Sequence, residues 1–63
     1  MQEGTVKFFN GTKGFGFITP AAGGADVFVH ASGLIDEIRE NDKVTYEVQN
    51  GQKGLNAVNV SRI

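Results

Sequence analysis

The 63-residue chain has no cysteine, no tryptophan, and only one proline and one histidine. Without cysteine, neither disulfides nor thiolate metal sites can staple the fold, so stability must come from apolar packing. At this length such a core supplies only about 2–5 kcal/mol. No run approaches the roughly 20 apolar residues that span a bilayer. Met1-Gln2-Glu3-Gly4 lacks the basic and apolar regions of a signal peptide. A cytoplasmic location without membrane contact is therefore expected. One histidine and scattered carboxylates give no metal-ligand set, so no metal or cofactor is expected. Catalysis is not expected either. His30 and Ser32 share a strand face, but no acidic residue is placed to orient the ring, and one strand cannot supply all three roles. Gly14-x-Gly16 is followed by Thr19 where the dinucleotide fingerprint needs glycine, and no G-x-x-x-x-G-K-[ST] is present. Excess charge of one sign is also missing: the net charge of −1 argues against gripping phosphates by bulk electrostatics.

What is present is the punctuation of an all-β domain occupying residues 1–63. Nine glycines divide short runs rich in Val, Phe, Ile and Thr. Five strands are predicted, over about 2–10, 13–19, 25–30, 42–49 and 55–62. The first closes at the turn pair Asn10-Gly11 and the fourth at Asn50-Gly51, while Pro20 stops the second because it cannot donate to a ladder. Between 31 and 41, Ser32 as a cap and the spacing of Leu34, Ile35 and Ile38 predict one helical turn followed by a polar loop. Alternation places Val27 and Val29 on one face, with Val44, Tyr46 and Val48, and Val58 and Val60. Together with Val6, Ile18, Leu34 and Ile38, these make the expected core of a closed five-stranded barrel.

That core leaves a row of aromatics outside. In Lys13-Gly14-Phe15-Gly16-Phe17-Ile18, Phe15 and Phe17 point one way while the glycines and Ile18 point the other. Phe28 and His30 lie opposite Val27 and Val29, and Phe8 joins them from the first strand. Lys7, Lys13 and Asn10 edge this face. Flat rings beside lysines stack unpaired bases at about 1–3 kcal/mol each. The lysines would meet phosphates, and Asn10 or Asp26 could read base edges. Charge is distributed to suit: the first 20 residues carry Lys7 and Lys13 against Glu3, whereas 36–47 carries Asp36, Glu37, Glu40, Asp42 and Glu47 against Arg39 and Lys43. The competing reading is a protein-interaction module, because exposed aromatic patches also mark protein interfaces.

The chain resembles the bacterial cold-shock proteins of the cold-shock domain family. The likeness is carried by Glu3-Gly4-Thr5-Val6-Lys7-Phe8-Phe9-Asn10, K-G-F-G-F-I at 13–18, D-V-F-V-H at 26–30 and Gly54-Leu55-Asn56-Ala57-Val58-Asn59-Val60. It implies an antiparallel five-stranded oligonucleotide-binding (OB-fold) barrel that binds single-stranded RNA and DNA. Pyrimidine-rich strands are expected to be preferred, because weakly self-stacked bases cost less to splay onto the rings. A monomer is expected, with self-association into a dimer through the aromatic face as the alternative. The resemblance also implies a stress-response protein that opens RNA secondary structure without ATP. Carried over by position, the nucleic-acid-binding set is Lys7, Phe8, Asn10, Lys13, Phe15, Phe17, Phe28 and His30. Phe9, Asp26, Lys53 and Leu55 are further candidates. The chain departs from the family pattern at Phe8 (usually tryptophan), Ala31 (usually phenylalanine), the short 35–41 loop, and Leu55 (usually proline). These departures thin the aromatic face.

Overall fold

The computed structural model describes residues 1–51 and 54–63. Its strands are β1 (Gln2–Asn10), β2 (Phe15–Pro20), β3 (Val27–His30), β4 (Lys43–Gly51) and β5 (Gly54–Arg62), with one 3₁₀ turn at Ala31–Gly33. They close into a barrel in the order β1-β2-β3-β5-β4. One seam differs from the expected antiparallel ladder: β3 runs parallel to β5, through Phe28↔Asn56 and Val29↔Ala57. The β3–β4 connection carries the chain to the far side of the barrel, so the β4–β5 hairpin returns β5 alongside β3 in the same direction.

Local chemistry explains the strand limits. The Asn10 side-chain oxygen accepts the Thr12 N–H at 3.0 Å and the Lys13 N–H at 3.1 Å. Gly14 follows with φ of +78° and donates its N–H to the Asn10 carbonyl at 2.8 Å. The turn after β1 is therefore longer than a two-residue Asn-Gly hairpin, and β2 starts at Phe15 rather than residue 13. In the 3₁₀ turn the cap is His30, whose Nδ1 accepts the Ser32 N–H; Ser32 lies inside the turn instead of capping it.

Val6, Ile18, Val27, Val29, Ile38, Val44, Tyr46, Ala57 and Val60 are buried together, with Phe9, Leu34 and Val48 packed against them. Val58, expected inside, faces outward and is half-buried; Ala57 takes the inner position. The cause is a bulge. Thr45 pairs with Ser61 but Glu47 pairs with Val58, so Asn59 and Val60 together oppose Tyr46, and Asn59 takes a φ of 53°. An extra residue reverses the alternation beyond it.

Tyr46 is fully buried, and its hydroxyl has no hydrogen-bond partner among the described residues. Burial also raises the phenol pKa. A buried hydroxyl without a partner keeps its desolvation penalty. Tyr46→Phe is expected to leave stability unchanged or raise it by up to about 1 kcal/mol, read from the urea midpoint. A loss of more than about 1 kcal/mol would mean the hydroxyl is bonded in solution.

Candidate nucleic-acid interface

The aromatic face begins with a bulge in β1. Val6 pairs with Ile18, but the next pair is Phe8↔Phe17, leaving Lys7 as the extra residue. Unbroken alternation from the buried Val6 would have sent Phe8 inward and Phe9 outward. The bulge reverses that order. Phe8 stands outside beside Phe17, and Phe9 turns inward opposite Gly16 to pack on the core. Phe9 is thereby removed from the candidate outer face. Gly16 makes room for it: a Cβ there would overlap the Phe8 carbonyl oxygen and lie 2.8 Å from both Phe9 Cα and Phe9 Cδ1.

Four rings form a closed circuit on the outside. Phe8 and Phe17 lie 5.6 Å apart, Phe17 and Phe28 5.7 Å, Phe28 and Phe15 5.9 Å, and Phe15 and Phe8 6.3 Å. Phe15 and Phe28 are within 19° of parallel, whereas Phe8 and Phe17 are steeply tilted. The face is thus faceted instead of flat. Phe8 is 37% exposed and the other three rings are half-buried, on one another and not in the core cluster. Rings fixed by mutual contact lose little further freedom when a ligand covers them, which is how preorganisation raises affinity.

Polar groups sit at both ends of this surface. Beyond Phe17, the Lys7 ammonium meets the Asp26 carboxylate at 3.1 Å, and Asp26 also accepts the Thr19 hydroxyl at 3.2 Å. This ion pair is largely exposed and adds little stability, but a phosphate reaching Lys7 must compete with Asp26. Beyond Phe15 lie the Asn10–Gly14 turn and His30, which pairs with Phe15. Asn10 commits its side-chain oxygen to the turn, leaving only its amide N–H groups for a ligand. His30 commits Nδ1 to Ser32, with the Ser32 Oγ 2.9 Å away, so the neutral ring carries its proton on Nε2. Lys13 is exposed on the turn. Ala31 closes this end: its N–H donates to the Gly14 carbonyl at 2.8 Å, and its methyl stands where the resemblance implies a ring. The short loop is tied to β1, with the Asn41 N–H donating to the Val6 carbonyl at 2.7 Å.

Leu55 is 52% exposed near the end of the β4–β5 hairpin, opposite Asn50 and outside the ring circuit. Lys53 lies outside the described residues. The structure adds two residues that the sequence did not reveal. Asn56 pairs with Phe28 across the parallel seam, and Gln49 pairs with Asn56. No local pattern could have placed them there, because the signal is the pairing of strands far apart in the chain.

Comparison with known proteins matches residues 2–63 to the family model described as the 'Cold-shock' DNA-binding domain. The chain is 51% identical to the major cold shock protein of Micrococcus luteus, over all of both chains. It is 52% identical to cold shock-like protein CspC of Escherichia coli, covering 97% of this chain and 94% of that one. It is 56% identical to cold shock-like protein CspA of Shewanella violacea, covering 94% and 90% respectively. A solved structure described as "drosophila Unr CSD456" superimposes with a TM-score of 0.83 at 28% identity, over 98% of this chain, which spans about a quarter (26%) of that longer one. With its closed five-stranded barrel and this near-complete match, the chain belongs to the cold-shock domain family, whose members bind nucleic acid.

Proposed function

We propose that this protein binds single-stranded RNA and DNA by stacking unpaired bases on Phe8, Phe15, Phe17 and Phe28, and acts in the cytoplasm as an ATP-independent RNA chaperone. The observation that carries this reading is the four-ring circuit held outside the core. Ring faces reach only bases that are not already paired. Binding therefore draws a duplex toward its open strands by mass action, with no hydrolysis step. Pyrimidines stack weakly on one another, so a pyrimidine-rich strand splays onto the rings with the least loss. A strand of about 6–7 nucleotides matches what one such barrel covers.

The test is the anisotropy of a labelled heptathymidine titrated with protein, beside the matching duplex. A label is required because the chain has no tryptophan and Tyr46 is buried. The single strand is expected to bind saturably and the duplex much more weakly. Lys7 and Lys13 give a slope of log K against log salt of about −1.4 for a single strand, and the Asp26 partner of Lys7 moves it toward about −0.7. Equal affinity for duplex, or a slope steeper than about −4, would overturn the stacking mechanism. No binding at tens of micromolar would assign the patch to a protein partner instead.

A further inference from the structure

The register extends the outer row past the rings. Phe8, Phe17 and Phe28 lie side by side on β1, β2 and β3; Asn56 follows on β5 and Gln49 on β4. Neighbouring strands are about 4.8 Å apart, so a base stacked over Phe28 carries its far edge toward Asn56. The Asn56 amide nitrogen lies in the space that a side chain at Gly51 would fill. Neither carboxamide makes a side-chain hydrogen bond among the described residues. Of the neighbours on this part of the face, Val58 is apolar and Glu47 is acidic. Among the described residues no positive charge lies on this part of the face, and these four positions suit a base and repel phosphate.

We propose that Asn56 and Gln49 form a base-reading subsite for adenine at the end of the aromatic row. The preferred strand is then pyrimidine-rich with one adenine at a fixed position. This inference rests on the single-strand reading above and deepens it. A carboxamide presents a donor and an acceptor side by side. Adenine offers the complementary pair on two edges, N6–H with N7 and N6–H with N1. Uracil offers it on one edge, and its single ring reaches less far beyond Phe28.

Heptauridine, its seven single-adenosine variants and the single-guanosine variant at the favoured position, labelled at one end, would be titrated with the wild-type protein and with Asn56→Leu, Gln49→Ala and Asn56→Asp. One adenosine position is expected to bind about fivefold or more tighter than heptauridine. Asn56→Leu should abolish that gain, so that the adenosine strand binds this variant no tighter than heptauridine does, and Gln49→Ala should reduce it. Asn56→Asp keeps an acceptor for the adenine N6 amine but loses the donor to N7 or N1, so the gain for adenosine should shrink. Three results would overturn the subsite: no position-dependent gain in wild type, a gain that survives Asn56→Leu, or a larger gain for guanosine than adenosine there. Absence of heptauridine binding would instead overturn the stacking reading itself. Matched urea midpoints establish that each variant is folded.

Discussion

Replacing Phe15 and Phe28 together by alanine is expected to weaken single-strand binding by about 2–6 kcal/mol, between about 30-fold and about 25,000-fold, at about 1–3 kcal/mol per stacking ring. These two rings form the one nearly parallel pair in the circuit, 5.9 Å apart, and make the broadest continuous surface for bases. Because they touch each other, the single substitutions should not add simply. Removing one ring frees an edge of the other, so the double loss should differ from the sum by about 0.5 kcal/mol or more. The fold should persist, since both rings lie outside the core cluster. Val29→Ala should show the opposite pattern. Val29 is fully buried, so its truncation should lower stability by about 1–3 kcal/mol and leave the binding of folded protein nearly intact. Anisotropy titrations and urea midpoints on the same variants separate these effects. If the phenylalanine pair unfolds the protein while Val29→Ala does not, the rings are core and the outer face loses its proposed role.

What the sequence made legible follows from range. Phe15 and Phe17 lie two residues apart on one strand, as do Phe28 and His30, so their shared outer face is a local property of the period of two. The buried Val27, Val29, Val44 and Tyr46 follow from the same rule. The rule failed at Phe9 and Val58, each just beyond a bulge in its own strand. A bulge is decided by packing against the partner strand, and no pattern within one strand announces it. Phe8 was expected on the outer face with the other rings, and it stands there only because of the β1 bulge; unbroken alternation from Val6 would have turned it inward. Asn56 was missed for a different reason: its nearest functional neighbour, Phe28, lies on a strand separated from it by the whole of β4. Asp26 was legible as a candidate, but its pairing with Lys7 was not, because the two approach only after β1, β2 and β3 have assembled.

Gly16→Ala is expected to be the most damaging single-methyl addition on the β1–β2 seam, lowering stability by about 3 kcal/mol or more. The new Cβ would overlap the Phe8 carbonyl oxygen and lie 2.8 Å from Phe9 Cα. Both are backbone atoms of the paired strand, so relief requires β1 to move away from β2. That movement would disturb the bulge that turns Phe8 outward and Phe9 inward. A loss of about 3 kcal/mol corresponds to at least about 12 °C in melting temperature for a domain of this size, and takes most of the roughly 2–5 kcal/mol available to it. Gly11→Ala is the matched control: a Cβ there meets nothing within 4 Å, so stability should change by less than about 0.5 kcal/mol. Adding Phe9→Ala to Gly16→Ala removes the ring contact but neither backbone contact, so rescue should be partial at best. Thermal melts of the three variants by circular dichroism decide the point. If Gly16→Ala melts within a few degrees of wild type, the seam is loose enough to accept a side chain. The inward turn of Phe9 would then need another cause than the space Gly16 leaves for it.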